Sequence, residues 1–412
     1  MKNFIKIIAG VAILAGVLTL AHSCKQAEVT NAPYKALIIT GQNNHNWQGS
    51  TPVLKQILEN SGLFTADVAQ TPGPGEDMSL FKPAFVDYQV VVLDYTGDDW
   101  PAETREAFVN YVSNGGGVVV YHAADNAFRD WKEFNRIIGL GGWANRNETD
   151  GPYVRWRDGE IVRDTTPGRG GSHGAQHAFR VTTREPEHPI MSGLPESWLH
   201  AQDELYSELR GPAENLTVLA TAWADSAKGG TAEHEPILMT IQYGQGRVFH
   251  TVLGHAMGDS AYPAMECVGF IVTLQRGAEW AATGEVTQAI PVDFPHFNVE
   301  SKWPKFRPLT LDEILTSLQA YEPGDSRISL QDLTSHLKAI YDGAEKWAAA
   351  EKQLIGFLKG SGSVEVKNYI CRELSIFGTD ATLPVLKKLE KNEGTREMAR
   401  FAIERISGNY TN

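Results

Sequence analysis

Nine of the twelve histidines fall between His45 and His255. Imidazole changes charge readily near neutral pH and is the commonest metal ligand, so this crowding marks where acid–base or metal chemistry would sit. His122 and His255 follow the apolar runs Val118–Tyr121 and Arg247–Leu253. Ligands of open α/β sheets bind just beyond the carboxyl ends of strands. General acid or base work suits both residues there; the alternative is an imidazole tied to a backbone carbonyl. His45, Asn46 and Trp47 lie in a stretch with three further amides. Amides bond sugar hydroxyls and an indole covers a sugar's C–H face; the alternative is a polar turn.

His173 and His177 stand four apart, but Gly168, Gly170, Gly171 and Gly174 argue against a helix, so helical spacing cannot make them a metal pair. With Asp203 they still offer two imidazoles and a carboxylate for a divalent metal. The competing role is direct hydrogen bonding of a sugar. Asp203, Glu204 and Tyr206 form a compact acidic cluster, and paired carboxylates can do acid–base work on a glycoside. Neighbours on a strand point opposite ways, so one of the two carboxylates faces the core or an ion pair. The sequence reading takes Asp203 as catalytic with His122, His173, His177 and His255. Glu204, Tyr206, His45, Asn46 and Trp47 are then substrate contacts. Asp94 and Asp125 end or follow strands and could orient a histidine. There is no phosphate loop, dinucleotide fingerprint or Gly-x-Ser-x-Gly elbow, which disfavours nucleotide cofactors and serine hydrolysis.

These side chains need a frame. Residues 35–40, 64–69, 89–95 and 118–121 read as strands, and 52–58 and 101–112 as helices, with Ser50 or Thr51 as cap and Pro52 at the first helical position of the former. Alternation of this kind predicts βαβ units, and continuous apolar strands predict a mostly parallel sheet covered on both faces. Residues 139–177 look irregular, and a loop that long inside a domain is usually functional. Strands return at 178–182, 216–221, 237–243 and 247–253, the last two joined by a hairpin at Gly244-Gln245-Gly246. An apolar helix from Pro263 to Trp280 closes the domain. Residues 285–308, rich in proline, form a linker or strap. The region 309–412 is helical, with one pair of helices resembling a HEAT-type repeat that would need to dock on the sheet domain.

At the N-terminus, Lys2 and Lys6 precede an uncharged apolar run, Ile7–Leu20. It is short for a membrane span and suits a signal peptide. Ala21-His22-Ser23-Cys24 resembles a lipoprotein signal, which predicts removal of residues 1–23, a lipid on Cys24 and a tether over 24–33. Export, with membrane anchoring on a periplasmic or cell surface, follows. The formal net charge of −13 disfavours nucleic acid as a partner. Cys267 and Cys371 fall in different regions, so no disulfide framework is expected.

Several further pieces recur in order along the chain: Tyr121-His122-Ala123-Ala124-Asp125, Gly171-Ser172-His173-Gly174, His188-Pro189-Ile190, Asp203-Glu204-Leu205-Tyr206, Gly244-Gln245-Gly246-Arg247, Leu253-Gly254-His255 and Arg276-Gly277-Ala278-Glu279-Trp280. Together, over residues 34–284, they resemble the ThuA-like (trehalose utilisation) family. That resemblance implies a flavodoxin-like α/β fold similar to class I glutamine amidotransferases. It does not bring their chemistry, because His122 occupies the turn where those enzymes carry a cysteine. It also implies sugar catabolism, with a glycoside or 3-keto-glycoside as substrate. The reading is therefore an acid–base, metal-assisted or metal-free elimination or hydrolysis, the alternative being a non-catalytic carbohydrate-binding lipoprotein. The C-terminal helices could dock a partner protein.

Overall fold

The computed structural model describes residues 33–257, 262–304, 306, 309–325, 327–341 and 343–408. The signal peptide expected over 1–23, Cys24 and the tether up to residue 32 lie outside the described residues. Among the described residues no helix is long and apolar enough to cross a membrane.

The first half of the chain alternates strand and helix: β1 (Tyr34–Thr40), α1 (Trp47–Asn60), β2 (Phe64–Gln70), β3 (Val90–Leu93), α2 (Ala102–Ser113), β4 (Gly117–Tyr121) and α3 (Lys132–Ile138). It continues with β5 (Tyr153–Arg157), β6 (Glu160–Asp164), β7 (Ser172–His173), β8 (His177–Thr183), β9 (Ser197–Asp203), β10 (Tyr206–Ser207), β11 (Leu216–Trp223), β12 (His234–Tyr243) and β13 (Gly246–Thr251). The helices α4 (Pro263–Glu266) and α5 (Val268–Thr283) follow.

The main sheet runs β2-β1-β3-β4-β13-β12-β11-β8-β9. Its first five strands are parallel. From β13 onward every pairing is antiparallel, so the sheet is mixed around a parallel core. The tight turn between β12 and β13, with Gly244 at φ +57°, reverses the chain and starts the antiparallel half. In the parallel core the apolar runs are buried throughout: Val90, Val91, Val118, Val119 and Val120 have no exposed surface. Helices cover both faces. Phe249 of β13 points at Gly277 of α5, where a Cβ would sit 2.1 Å from the ring. Its neighbour His250 points the other way, with Nδ1 2.9 Å from the Ile138 carbonyl of α3. Helix α1 joins α5 through Gln275 Nε2 on the Ile57 carbonyl.

Some expected boundaries move. Helix α1 begins at Trp47, capped by Asn46 on the Gly49 N–H, and Pro52 lies inside it. Ser50 and Thr51 do not cap it; both hydroxyls donate to Asp94. The region from 139 to 177 holds the β5–β6 hairpin, which ion pairs fasten down: Arg155 on Glu235, and Arg157 on Asp164 and Glu233. The closing helix breaks at Cys267, whose φ and ψ of −62° and 124° are extended. Residues 285–306 strap the sheet domain, burying Phe294 and Trp303 in its core.

Beyond the strap stand α6 (Leu311–Gln319), α7 (Ile328–Ile340), α8 (Ala344–Leu358), α9 (Val364–Phe377), α10 (Leu383–Leu389) and α11 (Arg396–Ile406). Thr310 and Glu313 close a capping box at the start of α6, the local signal that ends the strap and begins the helices. These helices bury Leu330, Leu354, Ile370, Leu374 and Leu386 among themselves, a core distinct from that of the sheet. Cys267 and Cys371 are both free and buried.

Candidate active site

The parallel strands β1, β4 and β13 all end at one edge of the sheet, and each sends a histidine there. His45 lies in the loop after β1, His122 directly after β4, and His255 four residues beyond β13. The antiparallel half delivers the acid: β9 ends at Asp203 and the next residue is Glu204. Glu204 Oε2 stands 3.1 Å from His255 Nδ1, 3.6 Å from His45 Nε2 and 3.8 Å from His122 Nε2. The three imidazoles meet edge to face, with ring centroids 4.7–5.5 Å apart. His45, His255 and Glu204 of this cluster floor a cavity of about 450 Å³ whose walls include Asn44, Thr96, Asn126, Trp143 and His173, a size within the usual range for small-molecule sites; His122 is buried behind them.

His122 and Glu204 are fixed from behind. His122 has φ +44°, a left-handed conformation that costs a non-glycine residue roughly 1–3 kcal/mol and tends to occur at functional turns. Its Nδ1 donates to the Val252 carbonyl at 2.6 Å, which turns the lone pair of Nε2 toward Glu204 and toward the Tyr206 hydroxyl 3.1 Å away. Burial, reinforced by the neighbouring His45, pulls the His122 pKa down to about 3. A neutral imidazole of this kind accepts hydrogen bonds or binds a cation, and is not a proton donor near neutral pH. Burial alone would push the Glu204 carboxyl up, but the adjacent His255 and His45 imidazoles outweigh it and hold the group well below the usual carboxylate range.

The strand alternation of Asp203 and Glu204 is present with the sides exchanged relative to the sequence reading. Asp203 has no exposed surface. It accepts from His200 Nε2 at 2.8 Å and from the backbone N–H groups of Glu204, Gly254 and His255. Asp203 thus ties the end of β9 to the loop after β13 and aims Glu204 and His255 at one point, without reaching the cavity itself. Burial opposes a charge on His200, but Cys267 and Asp203 beside it raise its pKa to about 10.

The remaining expected residues divide. His173 lines the cavity, with Nε2 3.7 Å from Glu204 Oε1 and Nδ1 donating to the Gly174 carbonyl. Tyr206 stacks on His122 at 4.4 Å. His177 turns aside to the Ala175 carbonyl and the Phe179 ring, so His173, His177 and Asp203 do not converge as a metal set. The residues whose ligand atoms do converge, all within 4.8 Å, are His45, His122, Glu204 and His255. Asn46 serves as the α1 cap and Trp47 opens that helix; neither lines the cavity. Asp125 lies 3.4 Å from His250, deep under the sheet edge.

Three further residues, Trp143, Gln176 and His200, belong to the site without being among those expected from the sequence. Trp143 supplies the cavity's indole, on a turn of three consecutive left-handed residues, Trp143, Ala144 and Asn145. Buried Arg146 pins that turn to the carbonyls of Asn126, Ala127 and Gly142. The signal in the sequence is Gly141-Gly142 before Trp143 and Gly170-Gly171 after it: a Cβ on Gly171 would meet Trp143 N at 2.4 Å.

The Trehalose utilisation (ThuA) family profile matches residues 35–281. A ThuA-like protein from Parabacteroides merdae is 55% identical in a solved structure, with a TM-score of 0.66, covering 67% of this chain and 99% of that one. A ThuA-like protein from Bacteroides uniformis matches at 20% identity and a TM-score of 0.42, over 63% of this chain and 98% of that one. No curated protein matches the chain. The profile spans more than half of the chain, and with the relative from Parabacteroides merdae it places the protein: the chain belongs to the ThuA family.

Proposed function

We propose that this protein processes a glycoside, and that the form it acts on carries a keto group at position 3 of the sugar. The observation that carries the proposal is the convergence of His45, His255 and Glu204 on the floor of one cavity, with His122 buried against them and His173 on the wall. The name of the matching family, trehalose utilisation, supports a sugar as the substrate class. The carbonyl edge of the sugar lies on the floor, and Trp143 offers a face for the ring's C–H groups.

His173 is the proton carrier in this scheme. It is the most exposed histidine of the group, and its Nδ1–H is used by Gly174, which leaves Nε2 as the basic atom. Nε2 takes the proton from C2, whose acidity the neighbouring keto group raises. The electron pair of that C–H bond becomes an enolate delocalised onto the C3 oxygen. Collapse of the enolate forms a C1–C2 double bond and breaks the bond from C1 to the glycosidic oxygen. The departing oxygen receives a proton from the His173 imidazolium. The step is an elimination that conserves its atoms and needs no oxidant.

Anchoring through lipid on Cys24, with the site on an exported face of the membrane, fits this activity and is proposed with it. The C-terminal helices, with their separate core, are proposed as a docking element for a partner protein. The test of the chemistry is His173→Ala in the full chain. Turnover of a 3-keto-glycoside should fall roughly 10²–10⁴-fold, the usual contribution of a general base, with KM little changed. Undiminished kcat would remove His173 from the scheme. A wild-type protein that binds sugars and converts none would favour a carbohydrate-binding lipoprotein.

A further inference from the structure

We propose that His45, His122, Glu204 and His255 are the ligands of a single divalent transition-metal ion. The inference deepens that reading and rests on the same cluster of side chains. The first observation is spacing. Atoms bound at about 2.0–2.2 Å to a common ion lie roughly 3–4 Å from one another. Glu204 Oε2 is 3.1, 3.6 and 3.8 Å from the three imidazole nitrogens, so drawing the four groups, whose ligand atoms lie within 4.8 Å of one another, onto one ion takes only small side-chain shifts.

The second is unmet hydrogen bonding. His255 Nδ1 is buried and makes no hydrogen bond, although Glu204 lies beside it. Three nitrogens that crowd one carboxylate oxygen without bonding it well are poor packing for a protein interior. They become good packing once a cation sits between them.

The third is outer support. Metal-binding imidazoles usually give their second nitrogen to a carbonyl or side chain that fixes the ring. His122 does so through Nδ1 on the Val252 carbonyl, and the Gln176 amide holds Glu204 from the side by donating to its Oε1. Asp203 binds the backbone of both Glu204 and His255, so two ligands are aimed by one buried carboxylate.

Three imidazoles and one carboxylate select the class of ion. The set is too nitrogen-rich for calcium or magnesium, which want oxygen, and it lacks the thiolates that soft ions prefer. Zinc, cobalt, manganese, iron(II) and nickel remain. The cavity side of the cluster is open to Asn44, Thr96, Asn126 and Trp143, so a coordination position faces the substrate, as in catalytic sites. Such an ion would take the oxygen of a keto sugar.

The test uses the full chain and the metal alone. Protein stripped with a chelator is titrated with Co²⁺ and Zn²⁺, and the visible bands of cobalt report its ligands. We expect one equivalent per chain, a loss of affinity of at least 10-fold in Glu204→Gln and in His255→Ala, and normal binding in His177→Ala. Folding of each variant is checked by circular dichroism. If the His255→Ala fold fails, the nearly isosteric Glu204→Gln and the wild-type cobalt spectrum still decide. No stoichiometric uptake by the folded protein would overturn the assignment. So would binding indifferent to both substitutions, or Mg²⁺ held as tightly as Zn²⁺. Metal bound without sugar turnover would refute the reaction and leave the metal site standing. Turnover by protein that takes up no metal would refute the site and leave the reaction.

Discussion

Asp94 follows β3 directly and is buried almost completely. Burial raises its pKa to about 7 against three hydrogen bonds, from Ser50, Thr51 and Asn43, that favour the anion. Asn43 in turn accepts from the His45 N–H, so this carboxyl braces the loop that carries a floor histidine. Because the folded pKa lies above the unfolded one, the folded chain holds a proton that the unfolded chain has lost. Stability contributed by Asp94 is therefore full below about pH 4 and declines up to about pH 7, by at most about 4 kcal/mol at 1.36 kcal/mol per unit. Other groups titrate in the same window, and buried His122, held neutral, acts with the opposite sign. The measurable quantity is thus the difference between wild type and Asp94→Asn. We predict that the wild type loses melting temperature relative to the variant from pH 4 to pH 7, with no further change above. A pH-independent difference would contradict the burial argument.

At the scale of elements, what the sequence made legible was the periodic part. The runs that became β1, β3, β4, β12 and β13 are continuous and apolar, and the rule that ligands lie beyond their carboxyl ends pointed to His45, His122 and His255. What stayed hidden depends on chain reversal and on which way a strand end faces. Asp203 and Glu204 differ by one residue, and only the contacts of Asp203 with Gly254 and His255 decide that Glu204 points outward. The turn bearing Trp143 has no helical or strand period; its conformation comes from Arg146 beneath it and from glycines remote in sequence. Asn46 was legible as a polar loop residue, yet as an N-cap it is oriented by the Gly49 N–H it serves. Ser50 and Thr51 carry the same cap chemistry, but the nearby Asp94 claims their hydroxyls.

At the scale of the whole molecule, the sheet domain and the helices 309–408 keep separate cores, whereas the strap between them belongs to the sheet. Leu199 N–H bonds the His296 carbonyl, Val268 N–H the Ser301 carbonyl and Trp303 N–H the Glu266 carbonyl. Phe294 and Trp303 fill the sheet's core, and each such side chain is worth roughly 1.5–3 kcal/mol when buried. A chain ending at residue 308 should therefore melt within a few degrees of the sheet domain in the full protein, while one ending at residue 284 should be markedly less stable. Equal stability of the two truncations would show that the strap contributes nothing. The relative from Parabacteroides merdae covers 67% of this chain, leaving about a third of it without a counterpart there.

The most direct measurement is turnover by the full chain of a 3-keto-glycoside beside its unoxidised parent. The account predicts release of the leaving alcohol, with an unsaturated keto sugar, from the oxidised substrate alone, because only the keto group makes the C2 proton removable. Equal cleavage of both substrates, or release of the alcohol without any unsaturated product, would contradict it.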